Sequence, residues 1–237
     1  MDIGYRIGHR RKSSDPQTSI EVIGTMDAAV FGLLGLILAF TFSGASERLV
    51  LRRTQIVREV DAIGTAYLRI DLLAQSDQPA IRELFRSYLE KRIEVFDKFW
   101  DRAASKAALE KAEQLQRNIW SRSVASCRAD PRPDGCLLVL PALNDMIDIT
   151  TTRTMAALTH TPSVILILLI VLALAGGMLS GYAMSRQPMR SIMHMLLFSL
   201  VVSASVYVVL DLESPRAGVI SLRSMDQALN QLLETMK

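Results

Sequence analysis

Three stretches of this chain are apolar for long enough to cross a bilayer, and a long amphipathic segment separates the first from the second. A hydrocarbon core about 30 Å thick asks for roughly 20 apolar residues in a helix. Ala28–Ala45 carries no charge and gives way to Ser46 and Glu47. Val164–Met184 reads VILILLIVLALAGGMLSGYAM, and Ile192–Leu210 reads IMHMLLFSLVVSASVYVVL. The pattern predicts an all-α integral membrane protein. A basic segment (1–24) leads into transmembrane helix 1 (25–45). An extramembrane helical bundle (46–161) is inserted before transmembrane helices 2 (162–184) and 3 (191–210). A loop and short helix follow (211–237). The turn between the last two spans falls in Ser185–Arg190, around Pro188.

No proline and only Gly44 lies between the first apolar run and the charged residues that follow, Glu47, Arg48, Arg52, Arg53 and Arg58. Ile56, Val60, Ile63, Tyr67, Ile70 and Ala74 then recur in steps of four and three, a helical seam. One glycine costs a helix only about 1 kcal/mol relative to alanine. An uninterrupted helix from Ala28 to Leu73 is therefore expected. A second helix should start near Pro79, capped by Asp77, with Ile81, Phe85, Tyr88, Leu89, Ile93, Phe96 and Trp100 on its apolar face. A third should cover Ser105–Ala125 through Leu109, Ala112, Leu115 and Ile119. Pro141 should open the helix before the second span, and Ser224 with Gln227 forms a capping box near the end.

Small residues Ala28, Gly32, Gly35, Ala39 and Ser43 fall on one face of the first span, and Gly177 and Gly181 form a small-xxx-small pair in the second. Such faces let helices approach closely where lipid supplies no hydrophobic drive. If several copies surround an axis, the first span alone continues into the bundle and so alone lines a path through both regions. Phe31, Leu38 and Phe42 lie near one face and are the constriction candidates; a constriction of that kind gates by dewetting. Against this stands the ordinary role of such side chains, packing against lipid or the other spans.

Half the residues are hydrophobic and mean hydropathy is +0.24, too apolar for an ordinary soluble domain; a net charge of +3 gives no argument for nucleic acid. Two charged groups stand out. Glu59, Asp61, Arg69 and Asp71 lie on the helix after span one; Asn144, Asp145, Asp148 and Arg153 lie on the helix before span two. Neighbouring helices would pair them as ions. A divalent-cation site of carboxylate oxygens is the sharper alternative, but no spacing matches a cation-binding loop. His160 and His194 lack a second ligand at metal spacing, and Asp211, Glu213 and Arg216 flank span three as interface caps or as an ion vestibule. No nucleophile elbow, phosphate loop, zinc spacing or dinucleotide fingerprint appears, so neither catalysis, a metal nor a cofactor is expected.

The blocks LLGLILAFTFSGASERLVLRR, EVDAIGTAYLRIDLL, LLVLPALNDMIDITTTRT and DLESPRAG, in that order, resemble the bacterial bestrophin-like domain family. The resemblance covers about Gly24 to Ile220. Family members usually begin with a further hydrophobic helix before a basic stretch like GYRIGHRRK, with which this chain starts, so a four-span plan would lack its first helix here. The resemblance implies a homo-oligomeric, channel-like protein of the bacterial inner membrane, multi-pass, with anions passing if it conducts. A non-conducting scaffold or sensor whose helical domain binds a partner is the alternative.

The sidedness signals conflict. Arg6, Arg10, Arg11 and Lys12 with Arg186 and Arg190 put one side in the cytoplasm, whereas Arg48, Arg52, Arg53 and Arg58 flank span one on its other side. Cys127 and Cys136 bracket RADPRPDG, a turn-forming loop able to bring them together. A disulfide there fits an oxidising compartment and tips the reading towards a periplasmic bundle. Two free thiols in a cytoplasmic loop are the alternative, which the resemblance favours.

Overall fold

The computed structural model describes residues 1–10, 16–129, 133–185, 192–214, 218–220 and 223–236, without side chains at 10, 16–24, 133, 194 and 223–226. The described residues are helical and contain no strand. The helices are α1 (Asp2–Arg10), α2 (Pro16–Arg69), α3 (Gln78–Asp97), α4 (Arg102–Ala129), α5 (Cys136–Leu158), α6 (Ser163–Met184), α7 (Ile192–Glu213) and α8 (Arg223–Thr235). Among the described residues three segments are long and apolar enough to span a membrane: Thr25–Leu72, Cys136–Met184 and Met195–Glu213. The chain divides into two compact units. The first is Met1–Leu49 with His160–Ser214; the second is Val50–Thr159 with Pro215–Lys237.

In the first unit, apolar side chains point outward. Phe40, Val164, Ile167, Leu174, Met193, Leu196 and Leu200 are all exposed. A patch of this extent is not stable in water and suits lipid or other protein. The buried face of α2 is Leu34, Thr41, Ala45 and Leu49. Thr41 turns its hydroxyl onto the Ile37 and Leu38 carbonyls, so no polar hydrogen is left unmet there. The pattern gave no helix for the first residues, yet α1 packs along α6. Glycines set that packing. A Cβ at Gly4 would collide with the Met178 carbonyl, and one at Gly181 with the Met1 carbonyl.

The second unit is built on the extension of α2. Ile63, Ala66 and Ile70 pack with Phe85, Tyr88 and Leu89 of α3, Ala112 and Ile119 of α4, and Val139, Leu143 and Met146 of α5. From α8, Leu229 is fully buried, and the chain end is pinned where Arg86 Nη2 and the Tyr67 hydroxyl donate to the Met236 carbonyl at 2.6 and 3.4 Å.

The structure corrects several expectations. The long helix is α-helical only to Arg69; Ile70–Leu72 tighten into a 3-10 turn and Leu73 is extended. Leu73, not Ala74, therefore supplies the last buried position of the seam. Asp77 is at the N-cap of α3, but its side chain caps nothing. Helix α3 ends at Asp97, so Trp100 leaves the apolar face and is exposed beside Phe99. Helix α4 starts at Arg102, because Asp101 Oδ1 accepts from the Ala103 and Ala104 amides at 3.0 Å. Pro141 does not open α5 but lies inside it. Proline removes one helical donor, and nearby the Leu138 carbonyl accepts from Arg69 Nη1 at 2.8 Å. The expected turn around Pro188 and Arg216 lie outside the described residues, as do the side chains of His194 and Ser224.

Candidate functional site

Two arrangements combine chemistry-bearing side chains with burial: the free face of α2 with its polar anchor in the first unit, and an ionic cluster inside the second. Ala28, Gly32, Gly35, Ala39 and Ser43 are all exposed on α2, and a Cβ at Gly32 or Gly35 would meet nothing within 4 Å. Of the constriction candidates, Phe31 packs inward, edge-on to Phe198 with ring centres 5.3 Å apart. A Cβ at Gly176 would be 2.9 Å from Phe31 Cε1, so glycine there makes room for the ring. Leu38 is half-buried and Phe42 exposed. The three do not share one environment, although their spacing puts them near one face. Gly177 and Gly181 face Met1, so the second small-residue pair serves α1, not α2.

The exit of α2 from the apolar run is fixed by Glu213 at the end of α7. Glu213 accepts from Arg48 Nε at 2.9 Å, from the Thr161 hydroxyl at 2.6 Å and from the Thr161 amide at 3.2 Å; Arg48 Nη2 adds close contacts to both. Glu213 and Asp211 are buried. Reading Asp211 and Glu213 from sequence placed them at the membrane edge with Arg216, without the Arg48–Thr161 pairing. Within the second unit, Arg52 donates to the Thr159 carbonyl at 2.7 Å and the Ala156 carbonyl at 3.3 Å, serving carbonyls left open at the end of α5.

The ionic cluster in the second unit joins Glu59 of α2, Arg92 of α3 and Arg153 of α5. Glu59 and Arg92 have 0% exposure and Arg153 4%. Arg92 Nε donates to Glu59 Oε1 at 2.7 Å, and Arg153 Nη1 bonds the other carboxylate oxygen. Phe96 lies under both cations, its ring centre 3.7 Å from Arg153 Cζ and 5.1 Å from Arg92 Cζ. The Tyr88 hydroxyl bonds Thr150 at 2.9 Å, and Thr150 in turn donates to the Met146 carbonyl. Burial pushes the Tyr88 phenol up to about 12, with Glu59 adding to the rise and the two arginines opposing it.

Of the eight candidates on these two helices, Glu59 and Arg153 are the pair that meets across helices. Arg69 serves the Leu138 carbonyl and Asp71 pairs with Arg82; Asn144 donates to Asp148 at 3.0 Å on an exposed face. Asp61, Asp145 and His160 are exposed. Among the described residues no group of three or more histidine, cysteine or acidic side chains is placed to hold a metal. Arg92 was not singled out in advance, though a signal existed: it falls on the stripe Ile81–Phe85–Tyr88–Leu89, as Glu59 falls between Ile56 and Ile63. Charges on apolar stripes of neighbouring helices must pair. Cys127 and Cys136 are bonded, with Cα atoms 5.8 Å apart.

The sequence model of a family described as Bestrophin-like domain matches residues 3–226. No curated protein matches the chain. Among solved structures, a mutant of a bacterial bestrophin homologue from Klebsiella pneumoniae is 13% identical, with a TM-score of 0.68 over 90% of this chain and 87% of that one. A structure described only as a membrane protein is 14% identical, with a TM-score of 0.71 over 99% and 94%. At these identities the likeness is one of fold.

Proposed function

Because the chain belongs to the Bestrophin-like domain family, we propose that it works as an oligomeric, channel-like protein of the bacterial inner membrane that passes anions. In this reading the first unit spans the bilayer, and the second is an extramembrane bundle inserted between the first and second spans. Copies gather around an axis with α2 facing it. The observation that carries the reading is the free small-residue face of α2. A helix flanked by other spans leaves Ala28, Gly32, Gly35, Ala39 and Ser43 uncovered, with room for added atoms at both glycines. Lipid gives no reason to keep such a face small; a neighbouring helix does. Phe42, exposed at the edge of this face, is the best constriction, with Leu38 half-shielded above it. Phe31 is held by Phe198 and supports the wall rather than closing the path.

A cysteine scan of Phe31–Ser43, with Cys127 and Cys136 replaced, tests this. Water-soluble thiol reagents should block current at positions repeating every three or four residues and including Phe42. Assembled protein in which the whole segment is unreactive and no current flows would favour the scaffold reading instead.

A further inference from the structure

The main segment of the second unit begins at Val50 and ends at Thr159. These two points are close together, because Arg52 Nη2 donates to the Thr159 carbonyl at 2.7 Å. One end of the unit thus carries both connections, back along α2 to its apolar run and on to α6, which starts at Ser163. Helix α3 runs towards that end. Phe85 meets Tyr67 of α2, and Arg92, about two turns further on, meets Glu59, so α3 is antiparallel to α2. The Phe96 ring centre then lies 3.7 Å from Arg153 Cζ, close to the end of α5 at Leu158. The turn beyond Asp97 therefore projects from the end that holds both connections. It presents Phe99 and Trp100, 44% and 67% exposed and packed edge-on. Backbone and side-chain bonds fix this turn. The Asp101 amide donates to the Lys98 carbonyl at 2.9 Å, the Ala103 and Ala104 amides to Asp101, and the Ser105 hydroxyl to the Val95 carbonyl at 2.8 Å. Held outward in water, two such rings forgo the burial that favours aromatic side chains. Val50, Leu51, Met155 and Leu158, beside the two connections, are exposed as well. Arg102 and Lys106 follow in the first turns of α4, both exposed. Of the acidic groups here, Glu94 is shared between Lys91 and Lys98, and Asp101 is taken up by the amides. Tryptophan beside cations, at the end of a domain that joins apolar spans, suits the headgroup layer of a bilayer.

We propose that the α3–α4 turn rests on the bilayer surface, with Phe99 and Trp100 seated among phospholipid headgroups and Arg102 and Lys106 on their phosphates. The turn gives the bundle a hold on the membrane besides its chain connections. The proposal rests on the reading of the first unit as membrane-spanning and not on whether the protein conducts.

The chain has two tryptophans, Trp100 and Trp120, so fluorescence gives the test. The full-length Trp120→Phe variant, in which Trp100 alone reports, is placed in nanodiscs of phosphatidylcholine and phosphatidylglycerol, with or without spin-labelled lipid. The label should cut Trp100 emission by about half or more, and acrylamide should quench it only weakly. Trp100→Phe leaves Trp120, about 27 Å along α4 from Arg102, and its emission should ignore the label. Adding Arg102→Glu and Lys106→Glu should weaken the lipid quenching of Trp100. Trp100 open to acrylamide and untouched by the label overturns the proposal. Trp100 shielded from acrylamide yet untouched by the label also overturns it, and assigns the turn to a neighbouring copy. Phe40→Trp, with both native tryptophans replaced by phenylalanine, separates the two readings. Quenching by labelled lipid there while Trp100 stays unquenched keeps the membrane-spanning reading and defeats this one; no quenching at either site defeats both.

Discussion

Glu59 is the residue on which the second unit most depends. It is fully buried and answers two arginines from two other helices. Removing one partner of a buried ionic cluster strands the rest in a low dielectric, which costs about 3–5 kcal/mol. Glu59→Ala should lower unfolding stability by that amount, whereas Asp61→Ala, two residues on and on the exposed face, should change it by no more than about 0.5 kcal/mol. Denaturant unfolding of the two variants side by side checks this. Tyr88 makes a pH prediction. Its phenol rises from 10.0 to about 12 in the folded state, so the folded protein holds the proton more tightly than the unfolded chain. The stability it contributes is complete below pH 10 and drains away as pH climbs towards 12. Tyr88→Phe should flatten this part of the unfolding-versus-pH curve. The cysteines behave as one group. With the sulfurs bonded across nine residues, the link is worth about 2–3 kcal/mol by restricting the unfolded chain. In intact cells neither thiol should label with a membrane-impermeant maleimide until reductant is added. Labelling without reductant would remove the argument for an oxidising compartment around the second unit.

At the scale of elements, periodicity was a good guide wherever one face met a core. The seam Ile56–Ile63–Ile70 and the stripe Ile81–Phe85–Tyr88–Leu89 are buried as spaced. It failed at ends, where single side chains decide. Asp101 starts α4 earlier than the apolar repeat suggests, and Trp100 lies beyond the end of α3 at Asp97. Proline was misread as a start signal. The Leu138 carbonyl accepts from a distant arginine, a contact no local pattern reveals. The polar anchor Arg48–Thr161–Glu213 joins residues far apart in sequence and was invisible for that reason. Helix α1 was illegible because it is short and polar; only Gly4 and Gly8, spaced to match Gly177 and Gly181, hinted at a packed helix. The glycines now separate two roles. Gly181→Leu should drive α1 off α6, because its side chain meets backbone, and should reduce yield of folded protein. Gly32→Leu and Gly35→Leu have room within one chain and should leave its unfolding unchanged while weakening assembly, read by native mass spectrometry.

For the whole molecule, the sequence made the class plain: apolar runs of spanning length, an all-helical chain and blocks resembling one family. The structure and the family match agree on each. Which faces meet other copies was not legible, because a helix face that packs on an identical neighbour carries the same small and apolar residues as one that packs on lipid. Exposure within a single chain separates the alternatives better than spacing does. It shows Phe31 packed against Phe198 and Phe42 exposed. The central claim, an anion-passing assembly lined by α2, meets its most direct test in a planar bilayer. Purified protein is recorded across a potassium chloride gradient, alone and with Phe42→Ala. Currents should reverse at the chloride equilibrium potential and grow when Phe42 is shortened. Well-assembled protein that stays silent in both forms, or currents that reverse at the potassium potential, would contradict the account.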